Sequence, residues 1–159
     1  PTMKPLFYQH NQTFSPWSTG GAYVHFLCKT GTHKLITGVE CEFPAIMAKQ
    51  IVLLDTGAEL SMVDNRVYQA FSYRNYLDTP VGTTTINTRL GSFEGTLHRV
   101  EVSLTADWGQ PLTIEGTFLF CEQWTGPTVL GFHGFLERVR FAIDPNYEQV
   151  GGIYFAEAS

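Results

Sequence analysis

Residues Ile51-Val52-Leu53-Leu54-Asp55-Thr56-Gly57-Ala58 join an apolar run to one acidic residue and three small ones. A carboxylate at the end of a buried strand is costly unless donors satisfy it. Thr56 offers a hydroxyl and an N–H. Gly57 tolerates backbone conformations closed to other residues and can aim its N–H back at the carboxylate. Ala58 is too small to crowd an approaching molecule. The pattern therefore presents Asp55 on a tight, supported turn, where a carboxylate can act as general acid or base. Asp and Gly are also ordinary turn residues, so a purely structural turn accounts for the tetrapeptide equally well.

A second element weighs against the structural reading. Val129-Leu130-Gly131 ends 131 − 55 = 76 residues beyond the aspartate, and Phe132 to Arg138 and Phe141-Ala142-Ile143-Asp144 follow it. Leu53-Leu54-Asp55-Thr56-Gly57 and Val129-Leu130-Gly131 also echo each other. Together these segments resemble the retropepsin-like aspartic proteases, in their single-domain bacterial form, over roughly residues 39–155. The resemblance implies an all-β fold: a closed β-barrel with a flap hairpin and one or two short helices. It implies a catalytic Asp55, supported by Thr56, Gly57 and Ala58, with Val129, Leu130 and Gly131 as the second barrel element. The flap would fall within Pro80 to Leu104. Ile86, Leu90, Gly91 and Phe93 are its candidate substrate contacts, and a packing role fits Ile86, Leu90 and Phe93 nearly as well. Viral relatives carry several glycines at the flap tip. Here Asn87-Thr88-Arg89-Leu90-Gly91-Ser92 has one.

D-T-G occurs once; Asp78-Thr79 is followed by Pro80, which has no backbone N–H to offer. Aspartic proteolysis uses two carboxylates that share a proton, one to activate water and one to protonate the peptide carbonyl. One copy per chain implies a homodimer with Asp55 of each subunit at the two-fold axis. The resemblance assigns Thr56 a hydrogen bond across that interface. The implied partners are a polypeptide substrate and a second copy of the chain, with no cofactor and no metal. Alanine at position 58 gives the carboxylate no hydroxyl donor, so the expected activity optimum is mildly rather than strongly acidic. The competing function is a non-catalytic peptide- or partner-binding module on the same barrel.

The elements that must position these residues are mostly strands. Strand-like runs cover 22–28, 33–43, 50–54, 83–86, 97–104, 112–121, 138–143 and 152–155, with Gly and Pro between them. The run at 50–54 reads as a strand buried on both faces. Two segments read as helical: Asp64 to Phe71, with Asp64 as N-cap, and the short Phe132 to Arg138. Residues 1–21 read as an arm or loop ahead of one domain, 22–159. Trp17, Trp108 and Trp124 suit a core or interface more than a cleft. His133 reads as a surface residue, and Ser61 and Ser92 lack any nucleophile pattern.

Composition bounds the remaining classes. The chain has 159 residues, enough for one sizeable core. Ten Lys+Arg against fifteen Asp+Glu give −5, with no basic cluster, which argues against a nucleic-acid surface. No apolar run approaches the ~20 residues of a membrane helix. Basic residues followed by an apolar stretch are missing at the N-terminus, so a cytoplasmic location without a signal peptide is expected. Cys28, Cys41 and Cys121 have no paired spacing and read as reduced, buried thiols.

Overall fold

Strands form where side chains alternate between core and solvent, and residues 112–118 show the rule: Leu112, Ile114, Gly116 and Phe118 are buried while Thr113 and Glu115 are exposed. The computed structural model describes residues 35–77, 79–107, 110–144 and 152–158 in full, and 7–10, 13–16 and 26–29 as backbone. In chain order the elements are β1 (Phe7–His10), β2 (Thr13–Pro16), β3 (Phe26–Lys29), β4 (Leu35–Phe43), a 3₁₀ turn (Pro44–Ile46) and β5 (Ala48–Leu54). Next come β6 (Ser61–Met62), α1 (Asn65–Tyr73), β7 (Gly82–Thr88), β8 (Gly91–Leu104) and β9 (Leu112–Phe120). The last are β10 (Val129–Leu130), a second 3₁₀ turn (Leu136–Arg138), β11 (Val139–Asp144) and β12 (Gly152–Glu157). The described residues are thus mostly β, with one α-helix. None of their helices is long and apolar enough to cross a membrane.

Eight strands share one sheet in the order β3-β4-β5-β10-β6-β9-β8-β7, and β8 also returns to pair with β4 through Cys41–Leu104 and Glu42–Ser103. β1–β2 and β11–β12 form separate antiparallel pairs. β12 nonetheless delivers Ile153 and Phe155 to the main core. That core is aromatic. Phe43 meets Phe71 and Phe118 edge-on, Phe118 meets Phe135, and Phe71 meets Phe120, at centroid distances of 5.5 to 6.3 Å. Perpendicular rings satisfy their quadrupoles while filling space that aliphatic chains would leave open.

Helix α1 begins where the N-cap rule puts it. The Asp64 carboxylate accepts from the Val67 N–H at 2.9 Å, and Val67 and Phe71 face the core. The helix runs two residues past the expected Phe71. The second expected helix, 132–138, shrinks to the 3₁₀ turn at Leu136–Arg138, because Gly134 at φ 81 takes the chain off the helical path. Residues 1–21, expected as an arm or loop, include the β1–β2 pair. β5 departs from the expectation of burial on both faces. Ile51 is 52% exposed beside a fully enclosed Val52, because the core lies on one face only. Cys41 and Cys121 are buried free thiols. Cys28, Trp17, Trp108 and Asp78 lie outside the residues whose side chains are described.

Candidate active site

β5 carries Asp55 to its C-terminal end, where a two-residue strand from far downstream lies beside it. β10 is inserted between β5, to which it is parallel (Val129–Leu53 and Leu130–Leu54), and β6, to which it is antiparallel (Val129–Met62). The Leu53 N–H donates to the Thr128 carbonyl at 3.0 Å and the Asp55 N–H to the Leu130 carbonyl at 3.1 Å. The backbone of the aspartate is thus fixed by the segment that the sequence paired with it. Beyond Asp55 the chain turns, with the Ala58 N–H donating to the Asp55 carbonyl at 3.2 Å. It then crosses over β10's exit. The Phe132 and His133 N–H groups donate to the Ala58 and Glu59 carbonyls at 2.9 and 2.8 Å.

The side chain of Asp55 is half-buried, and its Oδ1 accepts from the Gly57 N–H at 2.9 Å. The expected donor is in place, but the reason for glycine differs from the expectation. Gly57 does not occupy the left-handed region; among the described glycines only Gly91 and Gly134 do. What matters at position 57 is space, since a Cβ there would stand 3.2 Å from Asp55 Oδ1. Thr56 is exposed and Ala58 half-buried, so the turn leaves the carboxylate open on the solvent side. A supported, open carboxylate can exchange protons with a bound water or a peptide carbonyl.

Gly131 ends the β10 segment under the tightest constraint at the site. A Cβ here would lie 2.3 Å from the Leu60 carbonyl oxygen, because the two chain segments cross in backbone contact. Val129, Leu130 and Gly131 are all buried, and Leu130 is part of the main core.

The predicted flap is a regular hairpin of β7 and β8. Its tip is the two-residue loop Arg89-Leu90, flanked by the Thr88–Gly91 pair. Gly91 sits at φ 124, a region that L side chains rarely adopt, so one glycine is enough to close this turn. The Thr88 hydroxyl ties the tip by accepting from Leu90 N–H and donating to the Gly91 carbonyl. From Gly91 to Gly95, before its pairing with β9 begins at Thr96, β8 is bonded to β7 alone, so the tip of the hairpin extends past β9. Ile86 and Phe93 face each other across it, half-buried, and pack with Leu97 against Met62, Leu119, Cys121 and Trp124. Phe93 meets the Trp124 ring edge-on at 5.3 Å. Leu90 is 68% exposed at the tip. Of the four candidate flap residues, Ile86 and Phe93 are thus packed, Gly91 shapes the turn, and Leu90 is free to meet a ligand.

Three residues at the site have places in it that the sequence reading did not assign. Ser61 is fully enclosed, and its Oγ accepts from the Gly131 N–H at 2.9 Å. Thr128, 1% exposed, accepts through Oγ1 from Gln50 Nε2 and from the Asp64 N–H, both at 2.9 Å. Phe132, 55% exposed, is a large apolar side chain just past the crossing. A polar residue directly before or after an apolar pair, as in Thr128-Val129-Leu130 and Ser61-Met62-Val63, is the signal that could have found the first two. No family model matches the sequence, and no curated protein matches it.

Proposed function

We propose that the chain is one subunit of a homodimeric aspartic endopeptidase with the retropepsin-like fold. The observation that carries this reading is the Asp55 carboxylate, held by the Gly57 N–H at the end of β5 with β10 inserted alongside. The return of β8 to β4 supports a sheet closed on itself as a barrel, and the β7–β8 hairpin whose tip extends past β9 supports a flap. One motif carboxylate per chain requires a second from the partner. Two such groups at contact distance cannot both ionise, so they share one proton and titrate as a unit. The ionised carboxylate takes a proton from water, which attacks the peptide carbonyl carbon while the protonated one gives its proton to the carbonyl oxygen. Collapse of the tetrahedral intermediate, with a proton delivered to the nitrogen, breaks the C–N bond. The chemistry uses no cofactor, and the substrate is an extended polypeptide beneath the flaps.

The test is peptide-library cleavage from about pH 3 to 8, which spans the carboxylate and histidine reference values. Wild type and Asp55→Asn are compared, with molecular mass measured at the assay concentration. Cleavage by a wild-type dimer, lost in Asp55→Asn with fold and dimer intact, is expected. Unchanged cleavage in the variant sinks the proposal; a monomer that cleaves nothing also sinks it and favours a binding module.

A further inference from the structure

We infer that Thr128 and Ser61 are positioning residues for Asp55, two buried hydroxyls that clamp β10 at its two ends and so set the place of the aspartate beside it. The inference rests on the proposed catalytic role of Asp55. A strand of two residues has few ladder bonds of its own, and β10 makes only three residue pairings with its two neighbours. Side chains supply what the ladder lacks. At the entry to β10, one residue ties three elements. The Thr128 carbonyl accepts from Leu53 in β5, and its Oγ1 accepts from the Gln50 side chain of β5 and from the backbone N–H of Asp64, the N-cap of α1. At the exit, the Ser61 hydroxyl of β6 takes up the Gly131 N–H, where the crossing leaves no room for a side chain on position 131.

These hydroxyls act on the aspartate through one short path. Asp55 N–H bonds to the Leu130 carbonyl, and Leu130 lies between the two clamped ends. A shift of β10 along β5 carries Asp55 with it and alters the 2.9 Å bond from Gly57 to the carboxylate. Alanine at 61 or valine at 128 would keep the volume roughly but orphan donors: the buried Gly131 N–H in one case, the part-buried Asp64 N–H and Gln50 amide in the other. Relief comes when β10 moves or when water enters, and either disturbs the carboxylate. A misplacement of about 1 Å is enough to cost on the order of a hundredfold in rate.

The experiment compares Ser61→Ala, Thr128→Val and the conservative pair Ser61→Thr and Thr128→Ser with wild type. Two readouts are taken: kcat and KM over the pH range of cleavage, and the NMR shift of the Gly57 amide with the pH titration of the Asp55 carboxyl carbon. Ser61→Ala and Thr128→Val are expected to lower kcat about tenfold or more with KM changed by less than about threefold. They are also expected to move the pH profile, the Gly57 amide and the Asp55 titration, while the hydroxyl-keeping variants restore all four. A lower melting temperature with kcat, profile and both NMR signals unchanged overturns the inference and leaves a structural role only. If wild type cleaves nothing, the endopeptidase reading fails by itself and the two NMR signals decide the positioning claim, which unchanged spectra overturn. Should Ser61→Ala not fold, Ser61→Cys is nearly isosteric and a weak acceptor, and the same outcomes apply to it.

Discussion

At the scale of single residues, contact distances rather than residue identities decide what can change. A Cβ at position 57 meets only the Asp55 carboxylate, at 3.2 Å, so Gly57→Ala has somewhere to give. Its expected outcome is a folded protein whose cleavage rate falls roughly 10- to 100-fold, with a circular-dichroism melt near wild type. At position 131 the obstacle is the Leu60 backbone at 2.3 Å, which cannot step aside. Gly131→Ala should lose about 3 kcal/mol or more in a urea titration, or fail to fold. The Cys41 thiol offers a pH-dependent test. Burial, then the nearby Glu40 and Asp64 carboxylates, push it from 9.0 up to about 12. Because the folded value is the raised one, the fold favours the neutral thiol. That stabilisation is complete below about pH 9 and is lost as pH climbs from 9 towards 12. Cys41→Ala should therefore start from lower stability yet lose less of it over that alkaline window, and the native thiol should resist alkylation at pH 8 until denaturant is added.

At the scale of elements, local rules govern the ends of segments and tertiary contacts govern their company. Replacing Asp64 with alanine removes the bond to Val67 N–H and should cost about 1 kcal/mol in thermal unfolding. The β7–β8 hairpin is held down by Phe93 against Trp124. Phe93→Ala should speed tryptic cleavage after Arg89, and an unchanged rate would mean the hairpin is held elsewhere. The N-cap of α1 was readable in the sequence because a cap is a three-residue affair. The Asp55 turn was legible because each residue type there has a local reason, whereas its pairing with Val129-Leu130-Gly131 was legible only through the family resemblance. The tip of the hairpin was not placed, since Asn87 to Ser92 contains several turn formers and only strand register singles out Arg89-Leu90. The one-sided burial of β5 was missed for a related reason: four consecutive aliphatic residues look alike whether one face or two are covered. Thr128 and Ser61 were passed over because a buried hydroxyl finds its purpose in donors more than sixty residues away along the chain.

At the scale of the whole molecule, the proposed dimer, inferred from the single D-T-G, would make activity a property of a pair. Specific activity should fall on dilution through the dimer dissociation range. A ninefold excess of Asp55→Asn subunits, once exchanged, should depress wild-type activity about tenfold by mass action, whereas a catalyst working alone would be indifferent to them. Inserting β10 between β5 and β6 also has a kinetic side. Its partners lie 129 − 53 = 76 and 129 − 62 = 67 residues upstream. Contacts so distant along the chain form late, because the loop-closure entropy must be met before they yield anything. During synthesis β5 and β6 emerge with a vacant slot between them, and two unsatisfied strand edges wait for a segment 67 or more residues further along the chain. Chains stopped short of Val129 should be insoluble as well as inactive, their open edges pairing with one another instead of with the strand that was to fill the gap.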